Sequence, residues 1–293
     1  MENLNIELGK LELNENVDSL LYHYTSINSL FSIIENKEFW VTRSDYMNDT
    51  SEVIYFREVV KKALDNHLNK ACTSIEWVTW KQFIKDKLIY ERSSLSSLIF
   101  ILSFSKNPDS LSMWNYYGKN DGYNFGILKS DLDLMMKSKY RGGAMKSGSL
   151  IYEFDLQVDI LVNELKNAFE IFCKNPSVEG ILERVTSELS QRFFDYSFFF
   201  KHSAFKNEEE YRYSFLYMSN STWLYRPYMG VIAPYVKIKD KDDSRMLSIK
   251  TITIGPLIKH ERAFEGMKSW LSSKGYRHQD EIDLKKSSVP IRF

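Results

Sequence analysis

Three consecutive carboxylates, Glu208, Glu209 and Glu210, stand two residues before Arg212 in KHSAFKNEEEYRYSFLYMS. If a strand begins at the acidic run, the two-residue period places Glu208, Glu210, Arg212 and Ser214 on one face and Glu209, Tyr211, Tyr213 and Phe215 on the other. Two carboxylates on one face beside a guanidinium can orient sugar hydroxyls or stabilise a developing cation. The same residues also fit a solvated charge run that ends in an ordinary ion pair. A second candidate stands far upstream, in LYHYTSINSLFSIIENKEFWVT. Its pattern predicts a strand over 20–24, a corner, a helix over 27–36 capped by Ser26, and a strand over 38–42. His23 then sits at a strand end beside a helix start, a common place for anions and ligands. It fits equally a histidine packed under the helix and bonded to a carbonyl.

Other chemistries find no support in the residue pattern. The histidines, His23, His67, His202, His260 and His278, show no zinc spacing, and no C-x-x-C is present. There is no P-loop, no G-x-G-x-x-G and no G-x-S-x-G. Cys72 and Cys173, about a hundred residues apart, read as buried thiols of a reducing cytoplasm. Lys plus Arg equals Asp plus Glu, 39 each, which argues against a general nucleic-acid or membrane-surface binder. The N-terminus has neither a basic start nor an apolar core, and no apolar run reaches spanning length, so a cytoplasmic protein without membrane contact is expected.

The elements that must position these residues mix irregularly. Helices are expected from Asn48 or Asp49 to about His67 and over 74–91, where Trp77 and Trp80 read as core. SSLIFILSFSK (96–106) reads as a central strand, and LSMWNYYG as a short helix ended by Gly118. A strand at 122–129, a helix at 130–140, a loop at 141–143 and a strand at 148–156 follow. Helices are then expected at about 157–173 and 177–197. VIAPYVKIK and MLSIKTITIG read as strands joined by KDKDD, before a helix at 260–273. The expectation is a single α+β domain over 1–293 with mixed, mostly antiparallel sheets and several flanking helices, residues 1–18 forming an N-terminal extension.

Taken in order, His23-Tyr24-Thr25, Asn48-Asp49 with Glu52, Phe104-Ser105, Met113-Trp114 with Tyr117, Lys201 through Phe205 to Glu208, Glu210 and Arg212, and Ile252-Thr253-Ile254-Gly255-Pro256 resemble a bacterial family, domain of unknown function 2971. The resemblance runs from about residue 20 to 293. The chain departs from it in Thr50-Ser51 before Glu52 and in Tyr211 where Trp is common.

The motif order also resembles, more distantly, ADP-ribosyltransferase-like proteins, which implies a split β-sandwich and NAD as substrate. By that resemblance His23 holds a ribose hydroxyl, the Tyr24 backbone meets the nicotinamide amide, and Thr25 supports the loop. Ser103, Ser105, Trp114, Tyr116 and Tyr117 are candidates for the second motif, and a tyrosine among them stacks on nicotinamide. Glu210 stabilises the oxocarbenium-like centre and Glu208 orients or deprotonates the acceptor. Arg43 or Arg212 meets the pyrophosphate. No metal is implied. The acceptor is a protein, a nucleic acid or water, and a role in phage defence or toxicity fits such a family. Two alternatives stay open: a nucleic-acid-binding protein using STWLYRPY (221–228) with Arg226, Lys201 and Lys206, and a ligand-sensing module without catalysis.

Overall fold

A computed structural model describes residues 19–47, 51–69, 74–87, 98–118, 120–139, 145–217, 220–228, 230–239, 246–276 and 282–290. The Asn48-Asp49 turn, Cys72, His278, the 141–143 loop and residues 240–243 of the KDKDD turn lie outside these residues. The fold is α+β, and the chain divides into two compact units.

One unit is helical and is built from two separate stretches of chain. Helices α2 (Ser51–Leu68) and α3 (Ile75–Lys87) come from the first stretch, α6 (Phe154–Lys174) and α7 (Ile181–Tyr196) from the second. Their apolar stripes meet in a core that includes Phe56, Val60, Trp77, Trp80, Leu161, Leu165, Val185 and Phe193. The tryptophans are core residues, as their spacing predicts. Trp80 Nε1 donates to His67 Nε2 at 3.0 Å, which satisfies a buried polar tip. Where a strand over 148–156 was expected, the strand lies earlier, at Met145–Ser149; beyond it the chain makes an isolated bridge from Ile151 to Phe200, and α6 begins at Phe154. Gln157, in the first turn of α6, donates to the carbonyls of Ile151 and Lys201. Cys173 is exposed, against the expectation of a buried thiol, because it falls near the end of α6 off the apolar stripe.

The other unit holds a ten-stranded sheet among the described residues. Its strands are β1 (Leu20–Ser26), β2 (Glu38–Arg43), β3 (Ile99–Ser105), β4 (Gly122–Leu128), β5 (Met145–Ser149), β6 (Glu210–Leu216), β7 (Leu224–Tyr228), β8 (Val231–Lys239), β9 (Ile249–Ile254) and β10 (Asp283–Lys286). The order is β10-β9-β4-β1-β3-β2-β8-β7, with β6 pairing β3 and β5 pairing β6. All these pairs are antiparallel except β10 with β9. Helices α1 (Ile27–Asn36), α5 (Lys129–Lys139) and α8 (His260–Ser273) and the short turn α4 (Leu111–Met113) complete the unit. Strands β7 and β10 escape sequence reading because each is short and largely exposed, so neither shows a buried alternation.

The β1–α1–β2 segment folds as its residues dictate. Ser26 Oγ accepts from Ser29 N at 3.3 Å, and Lys37, at φ 53°, closes the helix C-terminus by donating to Ile33 O. Strand β3 is almost wholly apolar and buried along its length, as a central strand must be. One of its edges pairs with β6 from Ile99 to Ser105. The other is shared: β1 meets it at Tyr22 opposite Ser105, and β2 meets it at Ile101 and Phe100. Between those points, at residues 102–104, the sheet parts.

The turn after β3 is held by close backbone approach. A π-helical turn, Trp114–Gly118, continues α4, and a Cβ on Gly122 would come 2.2 Å from Gly118 Cα. Backbone cannot yield there as a side-chain tip can. Gly122→Ala is therefore expected to lower stability by about 3 kcal/mol, read by chemical denaturation. A loss under about 0.5 kcal/mol would contradict this packing.

Candidate functional site

The parting of the sheet opens a cavity of about 590 Å³, within the range of small-molecule sites. Its walls come from β1 (Tyr22, His23, Tyr24, Thr25), β2 (Glu38, Trp40, Thr42), β3 (Ile101 to Phe104), Glu208 and Glu210, Tyr117, and Arg226 and Tyr228 of β7. His23, Tyr117 and Glu210, nearly two hundred residues apart at the extremes, thus meet in one place.

Ser103 joins the first and last of these. His23 Nδ1 donates to the Ser103 carbonyl at 3.2 Å, and Ser103 Oγ donates to Glu210 Oε1 at 2.5 Å. The carbonyl bond fixes the His23 proton on Nδ1 and leaves Nε2 as an acceptor. The ring packs among Phe39, Phe104 and Phe125, with centroids 5.4 to 6.0 Å away. Burial lowers its pKa to about 4, against the opposing pull of the Ser103 carbonyl. The imidazole is neutral at pH 7.

Glu210 begins β6, and its oxygens also accept from Arg212, Nε at 2.7 Å and Nη2 at 3.2 Å. Arg212 is 1% exposed. It steadies the carboxylate from behind and does not line the cavity. Glu208 is not on the strand, contrary to the alternation expected across the acidic run. It ends a 3₁₀ turn, Ser203–Glu208, and Glu209 breaks the period at φ 45°. A non-glycine residue held in the left-handed region is strained by about 1 kcal/mol. Its neighbours hold it there: Lys106 N donates to Glu209 O at 2.9 Å, Asn107 Nδ2 to Glu209 Oε1 at 2.9 Å, and Ser105 Oγ to Glu208 O at 2.7 Å. The kink delivers both Glu208 and Glu210 to the cavity.

The remaining sequence candidates divide. Tyr24 and Thr25 line the cavity. The Tyr24 hydroxyl is committed, donating to Asn107 O and accepting from Ser110 N, and burial pushes its pKa up. Ser105 is fully buried and braces the Glu208 turn. Trp114 is buried against Tyr24, donates to Asp109 at 2.7 Å and does not line the cavity. Tyr116 is exposed at a separate polar depression beside Asn107 and Asp109, while Tyr117 faces the main cavity. Arg43 is not brought to the cavity: both of its forked nitrogens go to Asp45. Lys201 is buried and Lys206 exposed, and neither lines the cavity. Trp40 and Thr42 carry no expectation from the sequence, whereas Arg226 and Tyr228 belong to the segment 221–228 read there as a candidate nucleic-acid contact, and both line this cavity. Their signal was present as i, i+2 pairs on two strands, but β7 was not recognised and nothing local showed that it reaches β2 through β8.

Among the described residues no group of three His, Cys, Asp or Glu could hold a metal ion, and no helix is long and apolar enough to cross a membrane.

The depressed pKa of His23 has a thermodynamic counterpart. The unfolded imidazole takes up a proton near pH 6.5, the folded one only near 4. Stability should therefore fall as pH drops from 6.5 towards 4, where the unfolded chain binds the extra proton, and this contribution should level off below that. His23→Gln should remove this component, so the two stability curves converge by on the order of 2 kcal/mol between pH 7 and 4.5. Parallel curves would contradict the buried neutral histidine.

Comparison with curated proteins and with solved structures gives no match. The resemblance read from about residue 20 to the C-terminus is matched by a family model over a shorter span, from the start of the Met113-Trp114 block to within β6. Residues 113–213, about a third of the chain, match the family described as Protein of unknown function (DUF2971).

Proposed function

We propose that the cavity binds NAD as a substrate and cleaves its nicotinamide–ribose bond, passing ADP-ribose to water or to a macromolecular acceptor. The observation that carries this reading is the Ser103 link, which sets a neutral histidine acceptor and a carboxylate on one wall of a dinucleotide-sized cavity. Breaking an N-glycosidic bond builds positive charge on the sugar, and a carboxylate facing that charge stabilises it.

The C1′–N bond breaks and its electron pair leaves with the nicotinamide ring nitrogen, which becomes neutral. Glu210 faces the cationic ribose carbon. His23 Nε2 accepts from a ribose hydroxyl, a role that requires the neutral imidazole. Tyr117, exposed at the cavity mouth, offers its ring to the nicotinamide. The acceptor attacks C1′ and gives its proton to Glu208. Water in that place yields free ADP-ribose, and a protein or nucleic-acid group yields a conjugate. Loss of NAD would arrest the cell that makes the protein, consistent with a part in toxicity or phage defence.

Nicotinamide release by the purified protein, alone and with bacterial lysate, tests the reading. Glu210→Gln should reduce release more than a hundredfold, about 2.7 kcal/mol in the barrier, in protein that circular dichroism shows to be folded, with a lowered melting point from the lost Arg212 ion pair. Full activity in that variant, or no release by the wild type under either condition, would overturn the reading.

A further inference from the structure

Arg226 has no carboxylate within ion-pair distance among the described residues, although it lines the cavity and is partly buried. Its guanidinium lies near the rings of Trp40, Tyr228 and Tyr235, with centroids at 5.5, 5.1 and 5.6 Å. Nη2 donates to Thr42 Oγ1 at 2.7 Å, and Nε is buried without a hydrogen-bond partner. The acidic residue on β2, Glu38, is already engaged by Lys237 Nζ and Trp40 Nε1, each at 2.8 Å. Burial lowers the Arg226 pKa, whereas Arg192, which meets Glu164, is raised.

A partly buried guanidinium without a counter-ion is expensive to keep. An incoming anion supplies the missing charge. Thr42 Oγ1 accepts from Arg226 and so retains its own proton to donate. The fork and the hydroxyl together offer more donors than one planar carboxylate uses, and a tetrahedral phosphate can take them all. Glu208 and Glu210 lie on the other side of β3. Along the sheet β6 flanks one edge of β3, while β2, β8 and β7 follow from the other.

We infer that Arg226, supported by Thr42, is the phosphate-binding pole of this cavity and takes the pyrophosphate of the dinucleotide. The inference rests on the NAD reading and adds a direction to it. Phosphate lies towards β7 and the reacting ribose towards β6, because Glu208 and Glu210 repel an anion from their end. The positions expected from resemblance to hold the pyrophosphate, Arg43 and Arg212, are spent on Asp45 and Glu210.

Calorimetric titration with nicotinamide riboside, nicotinamide mononucleotide and inorganic pyrophosphate separates the two ideas. The wild type should bind pyrophosphate, and should bind the mononucleotide at least tenfold tighter than the riboside. Arg226→Gln should lose pyrophosphate binding and reduce that ratio to within twofold. Arg226→Lys, which keeps the charge without the fork, should fall between. A riboside that binds as tightly as the mononucleotide would overturn the phosphate pole and leave the NAD reading standing. Pyrophosphate binding that depends on Arg226, with no gain from either nicotinamide compound, would keep the pole and remove the NAD reading. Failure of all three ligands would overturn both. If Arg226→Gln does not fold, the wild-type ratio of mononucleotide to riboside decides.

Discussion

The unshared stretch of β3 is the constraint on which the site depends. A central strand needs partners for both edges, because buried backbone polar groups left unpaired are costly. Strand β6 satisfies one edge along its whole length, but β1 and β2 divide the other and leave residues 102–104 between them. His23 answers part of that need by donating to the Ser103 carbonyl. The chain thereby obtains a cavity inside a sheet, where elsewhere it has a packed layer. The histidine that repairs the strand edge also forms the cavity wall, so fold and site cannot be separated at this residue.

The same strand transmits order to the acidic side. Ser103 uses its carbonyl for His23 and its hydroxyl for Glu210, and Arg212 holds the carboxylate from behind. A carboxylate fixed by three donors is pre-organised, and its orientation need not be found again when a cation develops beside it. Glu209 carries the strain of bringing Glu208 to the same place, and the hydrogen bonds from Lys106 and Asn107 offset it. At the far wall Arg226 is clamped by rings and by Thr42, so the cavity has an acidic and a basic end before any ligand arrives.

Local pattern made part of this legible. The run from Leu20 to Arg43 announces strand, helix and strand through Ser26, Leu30 and Ile34, and the structure follows it closely. The apolar run at Ile99–Ser105 could only be a central strand. His23 shows the limit of such reading. The carbonyl bond expected of a structural histidine is there, and so is a place in the cavity wall, and residue type alone does not tell one from the other. Glu208 was misplaced because the two-residue period was carried back through Glu209, where a left-handed φ interrupts it. The strand expected over 148–156 ends at Ser149 and α6 starts at Phe154; Gln157 on that helix bonds Lys201, a partner that no window of sequence includes. Arg226 lies on a short exposed strand with Pro227 beside it, and its value as a cation depends on which strands β8 brings next to it. That information is long-range pairing, which residue spacing does not encode.

The most direct test of the site is a double-mutant cycle between His23 and Glu210, read as the rate of nicotinamide release from NAD. Both residues bond Ser103 and, in the proposed mode of binding, meet one substrate ribose, so their effects should not add. His23→Gln combined with Glu210→Asp should cost at least tenfold less than the product of the single losses. Strictly multiplicative losses, or a wild-type protein that releases no nicotinamide, would contradict a shared catalytic site at the parting of the sheet.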